Sequence, residues 1–101
     1  MMTLFDYNPT HSNKEITELL LESDHARIER IVSHGQPSPQ GFWYDQTEAE
    51  WVSLLAGSAT LLFHDHVLEL KKGDHVFIPS HTPHRVEKVS DDAIWLAVYL
   101  R

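Results

Sequence analysis

Between His25 and Leu100 the chain is cut into short apolar or alternating runs, each stopped within a few positions by glycine, proline or acidic turn residues. Trp51 to Ala56 ends at Gly57-Ser58; Ala59 to Phe63 ends at His64-Asp65; Val67 to Leu70 ends at Lys71-Lys72-Gly73-Asp74. His75 to Ile78 is stopped by Pro79, Arg85 to Val89 by Ser90-Asp91-Asp92, and Ala93 to Leu100 closes the series. Runs this short, with turn signals every ~8–12 residues, predict an all-β sandwich or barrel and exclude the alternating strand–helix pattern of a parallel sheet. An earlier run, His25 to His34, alternates Ala26, Ile28, Arg30 and Val32 with Arg27, Glu29, Ile31 and Ser33. It reads as a strand with charge on both faces at its centre, more consistent with an exposed sheet than a deep core, and as an exposed edge it is placed to pair with, or pack on, a second copy. Gly35 to Gly41, with two prolines and two glycines in seven residues, can continue neither strand nor helix and must be a loop.

Upstream, Ser12-Asn13-Lys14-Glu15 has capping-box spacing, and Ile16, Leu19 and Leu20 fall on one helical stripe. A short helix is therefore expected, fading by Ser23-Asp24. The expected organisation is an arm and short helix over residues 1–24 and a β-barrel domain over 25–101.

At 101 residues the chain suffices for one core and one domain. A net charge of −7 argues against nucleic-acid or anionic-membrane partners, whose phosphates would be repelled over most of the surface. There is no cysteine, so disulfides and thiol catalysis are excluded, and a metal would have to be held by imidazole, carboxylate, amide or phenol groups. The N-terminal residues lack a signal-peptide pattern, and no apolar window approaches the ~20 residues of a membrane span, so a cytoplasmic protein is expected.

The candidate chemistry lies between Gly41 and Val86. On a regular strand Tyr44, Gln46, Glu48 and Glu50 share one face, continued by Val52, Leu54 and Ala56 as apolar lining. A bulge among Asp45–Thr47 would turn Asp45 inward instead. His84 stands at the approach to a facing strand, and His81 lies in the turn between Pro79 and Pro83. A neutral imidazole and a carboxylate on facing strands suit a divalent ion, with Gln46 or Tyr44 completing a partial shell. Equally, the carboxylates could be strand-edge charges and His84 a hydrogen-bonded barrel residue. Tyr44, Glu48 and His81 are the candidate acid–base groups, and Trp43 and Tyr44 could stack on a planar or sugar-like ligand. His64-Asp65-His66, with Glu69 nearby, imitates a ligand set but falls at an expected hairpin tip, remote from Glu50 and His84.

These two stretches resemble the paired motifs of the cupin family, small jelly-roll β-barrels. The first motif, Gly, five residues, His-x-His, three or four residues, Glu, six residues, Gly, keeps its frame at Gly41, Glu50 and Gly57. The second, Gly, five residues, Pro-x-Gly, two residues, His, three residues, Asn, is met at Gly73, Pro79 and His84. The fifteen residues between Gly57 and Gly73 match the spacing of compact cupins. In place of His-x-His stands Tyr44-Asp45-Gln46 or Trp43-Tyr44-Asp45, His81 replaces the motif glycine, and Lys88 replaces its asparagine. The resemblance implies a small single-domain cupin with a degenerate first motif, binding a small molecule and pairing as a homodimer through the strand at 26–32. It carries Glu50 and His84 over as metal ligands, with Gln46, or Asp45 in its place, as a weaker donor and His81 as a possible substitute. The metal would be Fe, Mn, Ni or Zn, supporting an enzyme acting on a small polar molecule. The other implied outcome is a non-catalytic binding or structural cupin with no metal.

Overall fold

The computed structural model describes residues 2–5 and 15–101. Its strands are β1 (Ile16–Glu22), β2 (Ala26–Val32), β3 (Ala49–Ala56), β4 (Ser58–Phe63), β5 (Val67–Lys71), β6 (His75–Ile78), β7 (His84–Val89) and β8 (Ile94–Leu100). All pairings are antiparallel, giving a five-stranded sheet ordered β1-β2-β8-β3-β6 and a three-stranded sheet ordered β5-β4-β7. The two sheets face each other as a jelly-roll barrel, and no helix occurs among the described residues.

Alternation puts every second residue inside. Val52 and Leu54 of β3, Ala59, Leu61 and Phe63 of β4, Ile78 of β6, and Trp95, Ala97 and Tyr99 of β8 make up most of the buried core. The β3–β4 turn depends on Gly57, whose φ is +82°. A Cβ there would lie 2.8 Å from the Ala93 Cα, so backbone freedom and space both require glycine.

Two expectations fail here. The stretch Ile16–Glu22 is strand β1, not a helix, while the proposed cap at Ser12 or Asn13 lies outside the described residues. β1 pairs with β2 from Ile16 opposite Val32 to Glu22 opposite Arg27, with a register shift between Leu19 and Leu21. Glu18 adds a 2.7 Å ion pair to Arg30. Helix propensities differ by only tenths of a kcal/mol per residue, so an available strand edge decides the outcome. For the same reason the 26–32 strand is not an edge: β2 lies between β1 and β8, and β1 and β6 are the outer strands of that sheet.

Candidate functional site

The first wall of the site is set by a pair of backbone hydrogen bonds outside the regular strands. The Tyr44 N–H donates to the His84 carbonyl at 2.7 Å, and the His84 N–H donates to the Tyr44 carbonyl at 3.0 Å. This bridge stacks the two rings, with centroids 5.5 Å apart. The loop leading to Tyr44 is stapled to β7 by Arg85, whose guanidinium donates to the carbonyls of Ser38, Pro39 and Phe42. The Ser38 Oγ accepts the Val86 N–H and its side chain is also hydrogen-bonded to the Tyr44 hydroxyl.

The second wall is β3. Its inward alternation places Glu50 beside the first residues of β7, where its Oε1 lies 3.6 Å from the His84 Nε2. Both side chains are buried, 9% and 7% exposed. His84 Nδ1 donates to the Thr82 carbonyl at 2.8 Å, which turns Nε2 toward Glu50. Burial pulls the His84 pKa down, but the hydrogen bonds to Glu50 and Thr82 and the charges of Glu50 and Asp45 outweigh it, so the net shift is upward. For Tyr44, burial and then the charges of Glu15 and Glu50 raise the hydroxyl.

These groups open into a cavity of about 180 Å³. Glu15, Glu29, Gln46, Glu50, Tyr44 and His84 supply its polar lining. Ile31, Val52, Leu61, Ile78, Val86 and Trp95 supply the apolar part, most of it continuous with the core. The Gln46 Oε1 is buried without a hydrogen-bond partner among the described residues. Tyr99 closes the lining, its hydroxyl pushed well up by burial and by Glu50 and Glu29.

Of the sequence candidates, the structure brings Tyr44, Gln46, Glu50 and His84 to this cavity. It takes Glu48 and His81 elsewhere. The chain bends at Thr47–Glu48 before β3 begins, which breaks the alternation. Glu48 instead pairs with Arg27 at 3.0 Å and Arg101 at 2.8 Å, and Arg101 first, then Arg27, hold its carboxyl below the usual range. His81 sits in the exposed turn with φ +55° and contacts Asp45 at 2.8 Å. Asp45 therefore points away from the cavity and Gln46 points in. Trp43 stacks on His64 and does not line the cavity. His64 and His66 occupy the exposed β4–β5 turn.

Glu15, Glu29, Trp95 and Tyr99 are site residues the motif reading missed. Glu29 shares parity with inward Ile31, and Trp95 and Tyr99 with inward Ala97, so alternation on β2 and β8 carried that signal once the inner face was known.

A cupin domain model matches residues 30–99. The chain belongs to the cupin family. It is similar to the structure of a putative mannose-6-phosphate isomerase from Ralstonia eutropha JMP134, at 38% identity and TM-score 0.92, over 99% of this chain and 96% of that one. A cupin superfamily protein from Desulfitobacterium hafniense DCB-2 superposes at TM-score 0.76 and 19% identity, over 92% and 83% of the two chains. KdgF from Halomonas sp. superposes at TM-score 0.76 and 12% identity, over 91% and 84%; these two likenesses show the fold. No curated protein sequence matches the chain.

The divalent ion expected of a cupin can be tested against this donor set. Among the described residues no three His, Asp or Glu side chains converge on one point. Glu50 and His84 contribute one strong donor each, and Gln46, also lining the cavity, offers a neutral amide. Catalytic zinc sites draw three protein ligands from imidazole, carboxylate and thiolate, and this barrel falls one short. Glu50 also favours the protonated form of His84, which competes with any ion for Nε2. Among the described residues, the donor set does not fit a resident metal.

Proposed function

We propose that this cupin binds a small polar molecule directly in its barrel, anchored by Glu50 and His84 without a resident metal. One observation carries the reading. A buried carboxylate–imidazole pair opens into an otherwise largely apolar cavity beside a buried amide oxygen, Gln46 Oε1, that has no partner among the described residues. An unmade buried hydrogen bond costs ~1–3 kcal/mol, and a ligand donating to Gln46 would recover that cost. The cavity's 180 Å³ is small beside the roughly 300–1,000 Å³ of pockets for drug-sized ligands, which limits the guest to a few heavy atoms.

Any catalysis on this reading is general acid–base chemistry. Thr82 orients the His84 ring, the Glu50 carboxylate lies 3.6 Å from Nε2, and the Tyr44 ring stacks on the imidazole.

The test is a titration of ¹⁵N-labelled protein with amines, polyols, aldoses, phosphate esters, Mn(II) and Zn(II), followed at the amides of Gln46, Leu61 and His84. Organic members of the panel should shift these signals, and His84→Ala should weaken their binding by about tenfold or more, as expected for a hydrogen bond to a charged group. Stoichiometric Zn(II) or Mn(II) binding that is lost in His84→Ala, with every organic compound silent, would replace this reading by the metal-centred one.

A further inference from the structure

We infer that the ligand of this cavity is a small organic ammonium ion carrying at least one N–H. The inference rests on the barrel being a binding site for a polar molecule, and it specifies the class.

Three carboxylates line the cavity, Glu15, Glu29 and Glu50, and His84 is the one basic side chain among its lining residues. Two of the carboxylates already have partners: Glu29 meets Arg27 at 3.1 Å and Glu50 meets His84 at 3.6 Å. Glu15, at the entrance, has no ion-pair partner among the described residues, and partial burial raises its carboxyl. Although the residue as a whole is exposed, it lines the cavity with Tyr44 and its charge raises the Tyr44 hydroxyl. Among the described residues, then, one of the three cavity carboxylates has no cationic partner.

Its walls favour the same sign. Tyr44, Trp95 and Tyr99 contribute rings, whose negative faces attract cations. The protein's own Arg27 guanidinium lies over the Tyr99 ring, 4.1 Å from its centroid. Gln46 Oε1 is an acceptor that lacks a donor among the described residues, which an N–H of a primary or secondary ammonium can fill and a quaternary ammonium cannot. A phosphate or carboxylate finds nothing equivalent. Among the described residues no Lys or Arg lines the cavity and no helix offers an N-terminus to an anion.

Three probes on one carbon frame separate the classes: 2-amino-1,3-propanediol, glycerol and glycerol 3-phosphate, titrated at pH 7 against the Gln46, Leu61 and His84 signals. The amine should bind about fivefold to tenfold more tightly than glycerol, the worth of one partly solvated charge contact, and glycerol 3-phosphate should leave the cavity signals unmoved. Glu15→Gln should remove most of the amine's advantage, read as the ratio of amine to glycerol affinity in the variant against the same ratio in the wild type. Glycerol or glycerol 3-phosphate binding as tightly as the amine would overturn the ammonium assignment and leave the binding site standing. Failure of all three to move the cavity signals, with the wider panel equally silent, would overturn both.

Discussion

Two carboxylate–imidazole pairs join the same two stretches of this cupin, and the shorter one is the weaker. Asp45 and His81 meet at 2.8 Å on the rim, with side chains 54% and 64% exposed. Glu50 and His84 stand 3.6 Å apart inside the barrel and are nearly closed to solvent. Water screens the first pair and solvates both partners whether or not they touch, so it contributes little. The second pair has exchanged its water for the barrel, and each partner depends on the other to offset that loss. Distance alone ranks the two pairs in the wrong order; burial ranks them correctly.

The largest expected effect follows from breaking the inner pair. Glu50→Ala or His84→Ala should each lower the unfolding free energy by about 3 kcal/mol, because each leaves a buried polar group uncompensated. Replacing both at once, Glu50→Met with His84→Phe, should recover most of that loss, since a buried ion pair can be matched by apolar packing of similar volume. Urea unfolding of the four proteins measures this. If the double variant is as unstable as the singles, the pair is a structural requirement, and its retention no longer points to ligand binding.

The next effect is a pH dependence confined to the inner pair. His84 lies above the ordinary histidine value of 6.5 in the folded protein, so the native state binds its proton more tightly than the unfolded chain does. The resulting stabilisation is complete below about pH 6.5 and is lost as pH rises through the folded value. Wild-type stability should therefore fall as pH rises above about 6.5, relative to His84→Gln, and Glu50→Gln should flatten the same segment of the curve. Asp45 contributes the smallest of the causes acting on His84, so Asp45→Asn should leave most of the slope in place. A slope that survives Glu50→Gln would locate the titration elsewhere.

The contrast also marks what could be read from the residues. Glu50, Gly57, Gly73, Pro79 and His84 kept motif spacing, and that spacing put Glu50 and His84 face to face. Strand positions from β3 to β8 followed from alternation and turn residues, because each run had a single buried face to satisfy. Glu48 was lost because period-two logic assumes an unbroken strand, and the bend at Thr47–Glu48 lies where no glycine or proline announces it. Residues 16–22 were lost for a different reason. Ile16, Leu19 and Leu20 fit a helical stripe locally, and only the free edge of β2, a tertiary fact, favours the extended form. Glu15 and Glu29 required knowing which side of β1 and β2 faces the cavity.

The smallest effect tests the outer pair and the backbone beneath it. His81 holds φ +55° at the position where the family's second motif has glycine. A residue with a Cβ costs about 1–2 kcal/mol in that left-handed region, and glycine is free of that cost. His81→Ala loses the exposed contact with Asp45, worth about 0–1 kcal/mol, and keeps the backbone strain. His81→Gly loses the same contact and relieves the strain. The glycine variant should therefore be more stable than the alanine variant by about 1 kcal/mol, a shift of several degrees in Tm for a domain of this size. Asp45→Ala should fall within the small range of His81→Ala, since it breaks the same contact without touching the turn. Should His81→Ala cost as much as His84→Ala, the rim pair would be shielded from solvent in a way its exposure does not show, and the ranking by burial would fail.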